Sequence, residues 1–182
     1  MTETRRPGGR SAPGKAPRKA STGPAGGLSH VGPGGAARMV DVSGKDDTER
    51  LARATGIIRM KPATLRAVVE NTVKKGDVIA VARVAGILAG KRTADLIPLC
   101  HPVGLTDLQV TVVPDSTIPG LRAEAVARTV GKTGVEMEAL TAVAVTLITV
   151  YDMAKALDKG MVISDICLEE KRGGRSGHWI RE

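Results

Sequence analysis

The chain has 182 residues, with 27 Lys and Arg against 19 Asp and Glu, a formal net charge of +8, no Phe and a single Trp and Tyr. That length suits one domain with a sizeable core, and the scarcity of aromatic rings removes the stacking platforms on which single-stranded nucleic acid is bound. Cys100 and Cys167 are the only cysteines, too few for a disulfide framework or a zinc ribbon, and they fit a reducing cytoplasm.

The charge is uneven. Residues 1–38 hold seven of the basic residues and one acid, Glu3, together with nine of the 22 Gly and five of the ten Pro. The first 27 residues contain no Val, Ile or Leu. Such a segment cannot bury enough apolar surface to offset its ordering entropy, so residues 1–27 are expected to be a disordered basic tail, and 28–182 a single domain. The tail lacks the apolar stretch of a secretory signal. The uncharged run from Ala139 to Tyr151 falls short of the roughly 20 apolar residues of a membrane span.

Met39 to Val42 reads as a short strand, and residues 48–60, ending in Ile57 and Ile58, as a second. Pro62 opens a short amphipathic helix through Leu65, Val68 and Val69. Asp77 is placed as the N-cap of a helix over 78–92. LIPLCHP, 96–102, is broken by two prolines and reads as loop. Strands follow at 105–113 and 121–129, then a long helix at about 134–158, then a strand over 161–169. The later part of this order is the split βαβ, or ferredoxin-like, arrangement. The expected fold is therefore α+β: an antiparallel sheet with helices on one face, plus an N-terminal strand and a short helix.

Candidate chemistry is scattered over several segments. Gly131-Lys132-Thr133 imitates the end of a P-loop, but the position that needs the first glycine is Val126. An anion at the glycine-flanked start of the long helix still fits, through free N–H groups and the helix dipole. Thr133 and Glu136 have capping-box spacing, whereas Glu138 lies past the cap on an otherwise apolar helix. Asp152 and Lys155, three apart, share one face. They read either as an exposed ion pair or as an acid/base pair. Lys75 sits in a turn entering a helix, where lysines are commonly solvated, and His101 is held between Cys100 and Pro102. His30 and His178 are too distant in sequence from Cys100 and His101 to suggest zinc, so no metal site is expected. Lys171, Arg172 and Arg175 lie in KRGGRSG, which suits polyphosphate as well as an ordinary basic tail.

The runs MVDVSGK (39–45), KKGDVIAVARVAGILAGKRTADLIPLCHP (74–102), VGKTGVEMEALTAV (130–143) and YDMAKALDKGMVI (151–163) resemble the cyclic pyranopterin monophosphate synthases, the molybdenum cofactor biosynthesis protein C family. The resemblance implies a ferredoxin-like fold assembled as a hexamer, a trimer of dimers. It implies conversion of (8S)-3′,8-cyclo-7,8-dihydroguanosine 5′-triphosphate to cyclic pyranopterin monophosphate with release of pyrophosphate. The upstream radical GTP cyclase would be the pathway partner. By matching position, Asp152, Lys155 and Lys75 are the expected catalytic residues. Leu99, Cys100, His101, Met137, Glu138 and Glu136 match substrate-contacting segments, and Arg50 and Lys171 match triphosphate contacts. Arg175 stands where a lysine is common in the family.

No tightly bound cofactor is expected, and Mg²⁺ is expected only as a helper on the substrate triphosphate. Ring opening and closure favour lysine and carboxylate groups over a nucleophilic thiol, so Cys100 is expected to be a packing residue. The rival reading is a non-catalytic nucleotide- or nucleic-acid-binding module on the same scaffold. Glu138 and Asp152 are fourteen residues apart in sequence, which is about 21 Å along a helix. A small-molecule pocket is narrower than that, so the two are expected to meet across a two-fold contact, with each active site shared between chains.

Overall fold

The computed structural model describes residues 37–115 and 117–182; the expected tail and the domain start at Leu28 lie outside them. The elements are β1 (Thr48–Arg59), α1 (Pro62–Val69), α2 (Val78–Lys91), α3 (Thr93–Leu96), β2 (Asp107–Asp115), β3 (Gly120–Gly131), α4 (Glu136–Ala154), β4 (Val162–Arg172) and β5 (Trp179–Ile180). One five-stranded sheet runs in the order β2-β3-β1-β4-β5, with every adjacent pair antiparallel. This is the expected α+β, ferredoxin-like split βαβ arrangement.

Alternation along β1 decides which face is core. Ala52, Ala54 and Ile58 point inward and are fully buried, while Arg53, Thr55 and Arg59 lie on the face that carries no helix. The inward face is covered by α4 through Ala139, Ala142, Val143, Leu147 and Val150, all without exposed surface. Gly56 permits close approach: a Cβ there would stand 2.9 Å from both Leu147 Cδ1 and Val143 Cγ1. By length and composition α4 could cross a membrane. Its buried stripe instead packs on the sheet, as in the core helix of a globular domain.

Helix α2 lies against α4 with Ala82, Gly86, Ala89 and Gly90 at the contact. A Cβ at Gly86 would collide with Thr146 Oγ1 and stand 2.9 Å from the Ala142 carbonyl. Thr146 is fully buried, and its hydroxyl donates to that same carbonyl at 2.7 Å, so it has little room to move. Gly86→Ala gains helix propensity but overpacks the contact. A net loss of about 1–2 kcal/mol is expected, read as a lower urea midpoint at unchanged slope.

Four expectations need correction. Met39 to Val42 is not a strand but an extended lead into a turn at 43–45. Its Val40 carbonyl accepts from His101 Nε2 at 2.8 Å and its Val42 carbonyl from Lys45 N–H at 3.0 Å, so these groups join no strand ladder. The long helix starts at Glu136 without a Thr133 cap, and its N-cap residue is Val135. The Glu136 carboxylate folds back over Gly134, into the space a Cβ would fill. The helix also ends earlier, at Ala154. Beyond it, buried Asp158 accepts from Lys61 N–H at 2.8 Å and Gly160 N–H at 2.9 Å, tying this corner to the start of α1. Finally, α3 and the two-residue β5 were absent from the sequence reading, and the former takes in Leu96 of the expected loop.

Candidate active site

Two cavities adjoin at the N-terminal end of α4. The larger, about 500 Å³, is lined by six cations, Lys45, Arg50, Lys132, Lys171, Arg172 and Arg175, against Asp46 and Glu136. Such an excess in a concave site favours a multiply charged anion. Arg50 Nε donates to the Gly131 carbonyl at 3.1 Å, and its guanidinium occupies the position where Gly174 would carry a Cβ. Gly173 and Gly174 have φ of +97° and +72°, a backbone region that glycine enters without strain.

Lys171 Nζ meets Glu136 Oε1 at 3.2 Å. It reaches the α4 side because of a β-bulge. The register pairs Ala54 with Leu168 but Arg53 with Glu170 and Ala52 with Lys171. The extra residue, Glu169, shifts the alternation by one and turns Lys171 inward.

The second cavity, about 380 Å³, shares Thr133, Gly134 and Glu136 with the first and continues along Leu99, Cys100, His101, Met137 and Glu138. His101 Nε2 donates to the Val40 carbonyl at 2.8 Å, which holds the 37–47 segment beside the site. Lys132 Nζ does the same at Ser43 O, 2.9 Å. Burial, and then the neighbouring Glu138 carboxylate, push the Cys100 thiol up to about 11. It is therefore a neutral thiol at physiological pH rather than an activated nucleophile. Burial also raises the Glu138 pKa.

A third cluster stands at the other end of α4. Asp152 lies between two ammonium groups, with Lys155 Nζ at 2.7 Å from Oδ1 and Lys75 Nζ at 2.8 Å from Oδ2. Lys75 also donates to the Asp152 carbonyl at 2.9 Å. Hydrogen bonds from Lys155 and then Lys75 hold the Asp152 carboxyl down at about 2, and the Asp152 carboxylate raises the pKa of Lys155. The pairing is complete above the ordinary aspartate pKa near 3.8 and lost only as pH falls through about 2. The triad is thus two lysine side chains held by one carboxylate, about half exposed. Two cationic side chains side by side suit meeting negative charge.

The structure therefore gathers Arg50, Lys171 and Glu136 in the basic cavity, and Leu99, Cys100, His101, Met137, Glu138 and Glu136 in the adjoining one. Lys75, Asp152 and Lys155 form a separate group. Within one chain that group lies on the far side of fourteen helical residues, about 21 Å away. Sequence reasoning did not single out Lys45 and Lys132 as site residues. The signal for both was a lysine next to a glycine in a segment flanking the site. Among the described residues, no group of three or more His, Cys, Asp or Glu is placed to hold a metal ion.

The sequence is similar to those of known proteins. Residues 39–174 match the model of the MoaC family. A cyclic pyranopterin monophosphate synthase of Brucella ovis is 59% identical over 152 residues, spanning 84% of this chain and 92% of its own. Its counterpart in Brucella canis is 58% identical over the same coverage. The span 39–174 holds the Cys100–Glu138 cavity, the Lys75–Asp152–Lys155 cluster and the basic cavity except Arg175 and Ser176, and the chain belongs to the MoaC family.

Proposed function

We propose that this chain is a cyclic pyranopterin monophosphate synthase of molybdenum cofactor biosynthesis. Its substrate on this reading is (8S)-3′,8-cyclo-7,8-dihydroguanosine 5′-triphosphate, and its products are cyclic pyranopterin monophosphate and pyrophosphate. The observation that carries the reading is the junction of a six-cation cavity with a less polar one at Thr133, Gly134 and Glu136. A nucleotide-derived triphosphate has this bipartite chemistry. Arg50 and Lys171 bind the phosphates, and Leu99, Cys100, His101, Met137 and Glu138 surround the heterocycle. Closing the cyclic phosphate forms one P–O bond at the α-phosphorus and breaks the bond to the β-phosphate. The basic wall neutralises charge on the departing pyrophosphate. Mg²⁺ travels with the triphosphate, not with the protein.

Asp152, Lys155 and Lys75 supply the proton transfers, and a second protomer brings them to the site. Two features support a shared site: the separation of the triad from the cavities along α4, and an exposed apolar stripe. Val81, Val84 and Leu88 on α2 and Ile148 on α4 are about half exposed, the surface expected of an assembly contact. The assembly on this reading is a hexamer built as a trimer of dimers, working in the cytoplasm downstream of the radical GTP cyclase. The test is incubation of purified protein with the cyclic dihydro-GTP intermediate. Stoichiometric pyrophosphate and pterin product support the enzyme, whereas binding without pyrophosphate release supports a non-catalytic nucleotide-binding module.

A further inference from the structure

Glu138 is the most confined acid at the site, 3% exposed, and it lines the smaller cavity. Its two oxygens are treated differently. Oε1 lies 3.7 Å from Cys100 Sγ, within reach of a thiol hydrogen bond. Oε2 is buried without any partner among the described residues. An unpaired buried carboxyl oxygen is costly unless something else completes it. Cys100 has one proton and two acceptors in range, since Sγ is also 3.6 Å from the His101 carbonyl.

We infer that Cys100 is a positioning residue, whose thiol donates to Glu138 Oε1 and so turns Oε2 into the acceptor for a ring N–H of the bound heterocycle. This rests on the substrate class proposed above. The inference gives Cys100 a task beyond packing, and one that needs the protonated thiol, which its raised pKa secures.

The groups around Glu138 set the sign of the pH effect. Burial raises its pKa most; its own backbone N–H and then the Cys100 hydrogen bond lower it, and the Glu136 carboxylate raises it. Lys171 of β4 pairs with Glu136 rather than with Glu138. His101 shares the cavity wall, and from α2 the near residue is Gly90, beside the Glu138 carbonyl. Removing the thiol therefore pushes Glu138 further up, and the acid limb of kcat/KM moves to higher pH.

Three proteins decide the matter: wild type, Cys100→Ala and Cys100→Ser. Cys100→Ala is expected to raise KM about 5-fold, with a smaller effect on kcat and the acid limb displaced upward. Cys100→Ser, whose hydroxyl is a better donor, is expected to recover most of the loss and return the limb. A second readout needs no turnover. The ¹³C-carboxyl resonance of Glu138, assigned by its loss in Glu138→Gln, should titrate at higher pH in Cys100→Ala than in wild type or Cys100→Ser. If wild type fails to turn over the cyclic intermediate, the proposed activity is wrong, yet the resonance still tests the thiol contact. An unchanged Glu138 titration in Cys100→Ala, or a serine variant no better than alanine, overturns the inference.

Discussion

Asp152→Asn and Lys75→Ala are expected to reduce turnover by about 10²–10⁴-fold each, the range for loss of a positioned proton-transfer group. The fold should survive both changes. Asp152, Lys155 and Lys75 are about half exposed and, among the described residues, form ion pairs only with one another, so little packing is lost, and exposed ion pairs contribute little to stability. In Asp152→Asn the two ammonium groups lose their shared counter-charge. The hydrogen bond to the Asp152 carbonyl still anchors Lys75, whereas Lys155 has only the side chain. Turnover measured on oligomer of wild-type mass and circular dichroism separates chemistry from folding. If both variants retain more than a tenth of wild-type turnover, the triad is a structural ion cluster and the proton-transfer groups lie elsewhere.

Mixing two inactive variants should restore activity. Glu138→Gln alone and Asp152→Asn alone each impair every site in their own oligomers. If a site draws Glu138 from one chain and Asp152 from its partner, a mixed dimer has one site with both defects and one with neither. Random pairing makes about half the dimers mixed, so about a quarter of all sites should recover after co-refolding. The distance along α4 makes the alternative hard to meet, because a cavity of about 380 Å³ cannot bridge about 21 Å of helix. Turnover per site, with mixed dimers verified by native mass spectrometry, gives the answer. Mixed dimers without recovered activity would place each complete site within one chain or reduce one of the two residues to a structural part.

Both results depend on facts of different legibility. The elements that stand out in the sequence are those whose own residues dictate them. Asp77 caps α2 as expected, its side chain accepting from Ala80 N–H at 2.9 Å. Pro62 opens α1, and alternation places β1, β2 and β3 within a few residues of their bounds. The apolar run of α4 marks the central helix, and the spacing of Glu138 and Asp152 on it already separates the two chemical groups.

Other features required contacts between distant segments. The Thr133–Glu136 capping box has the right spacing but does not form: α4 begins at Glu136 with Val135 as its N-cap, and the Glu136 carboxylate pairs with Lys171, 35 residues later. Lys171 itself is available only because the bulge at Glu169 turns it inward. The short run from Met39 to Val42 has strand-like alternation, yet its Val40 carbonyl goes to His101 instead of a neighbouring strand. The pairing of Cys100 with Glu138, and the burial that keeps one a neutral thiol and raises the pKa of the other, exist only where the 97–106 loop meets α4. Caps, helix faces and strand alternation are set by residues within a turn or two, so the sequence by itself determined them. Bulge register, burial and the partner of a charged side chain depend on which segments fold against one another, so only the tertiary structure decided them.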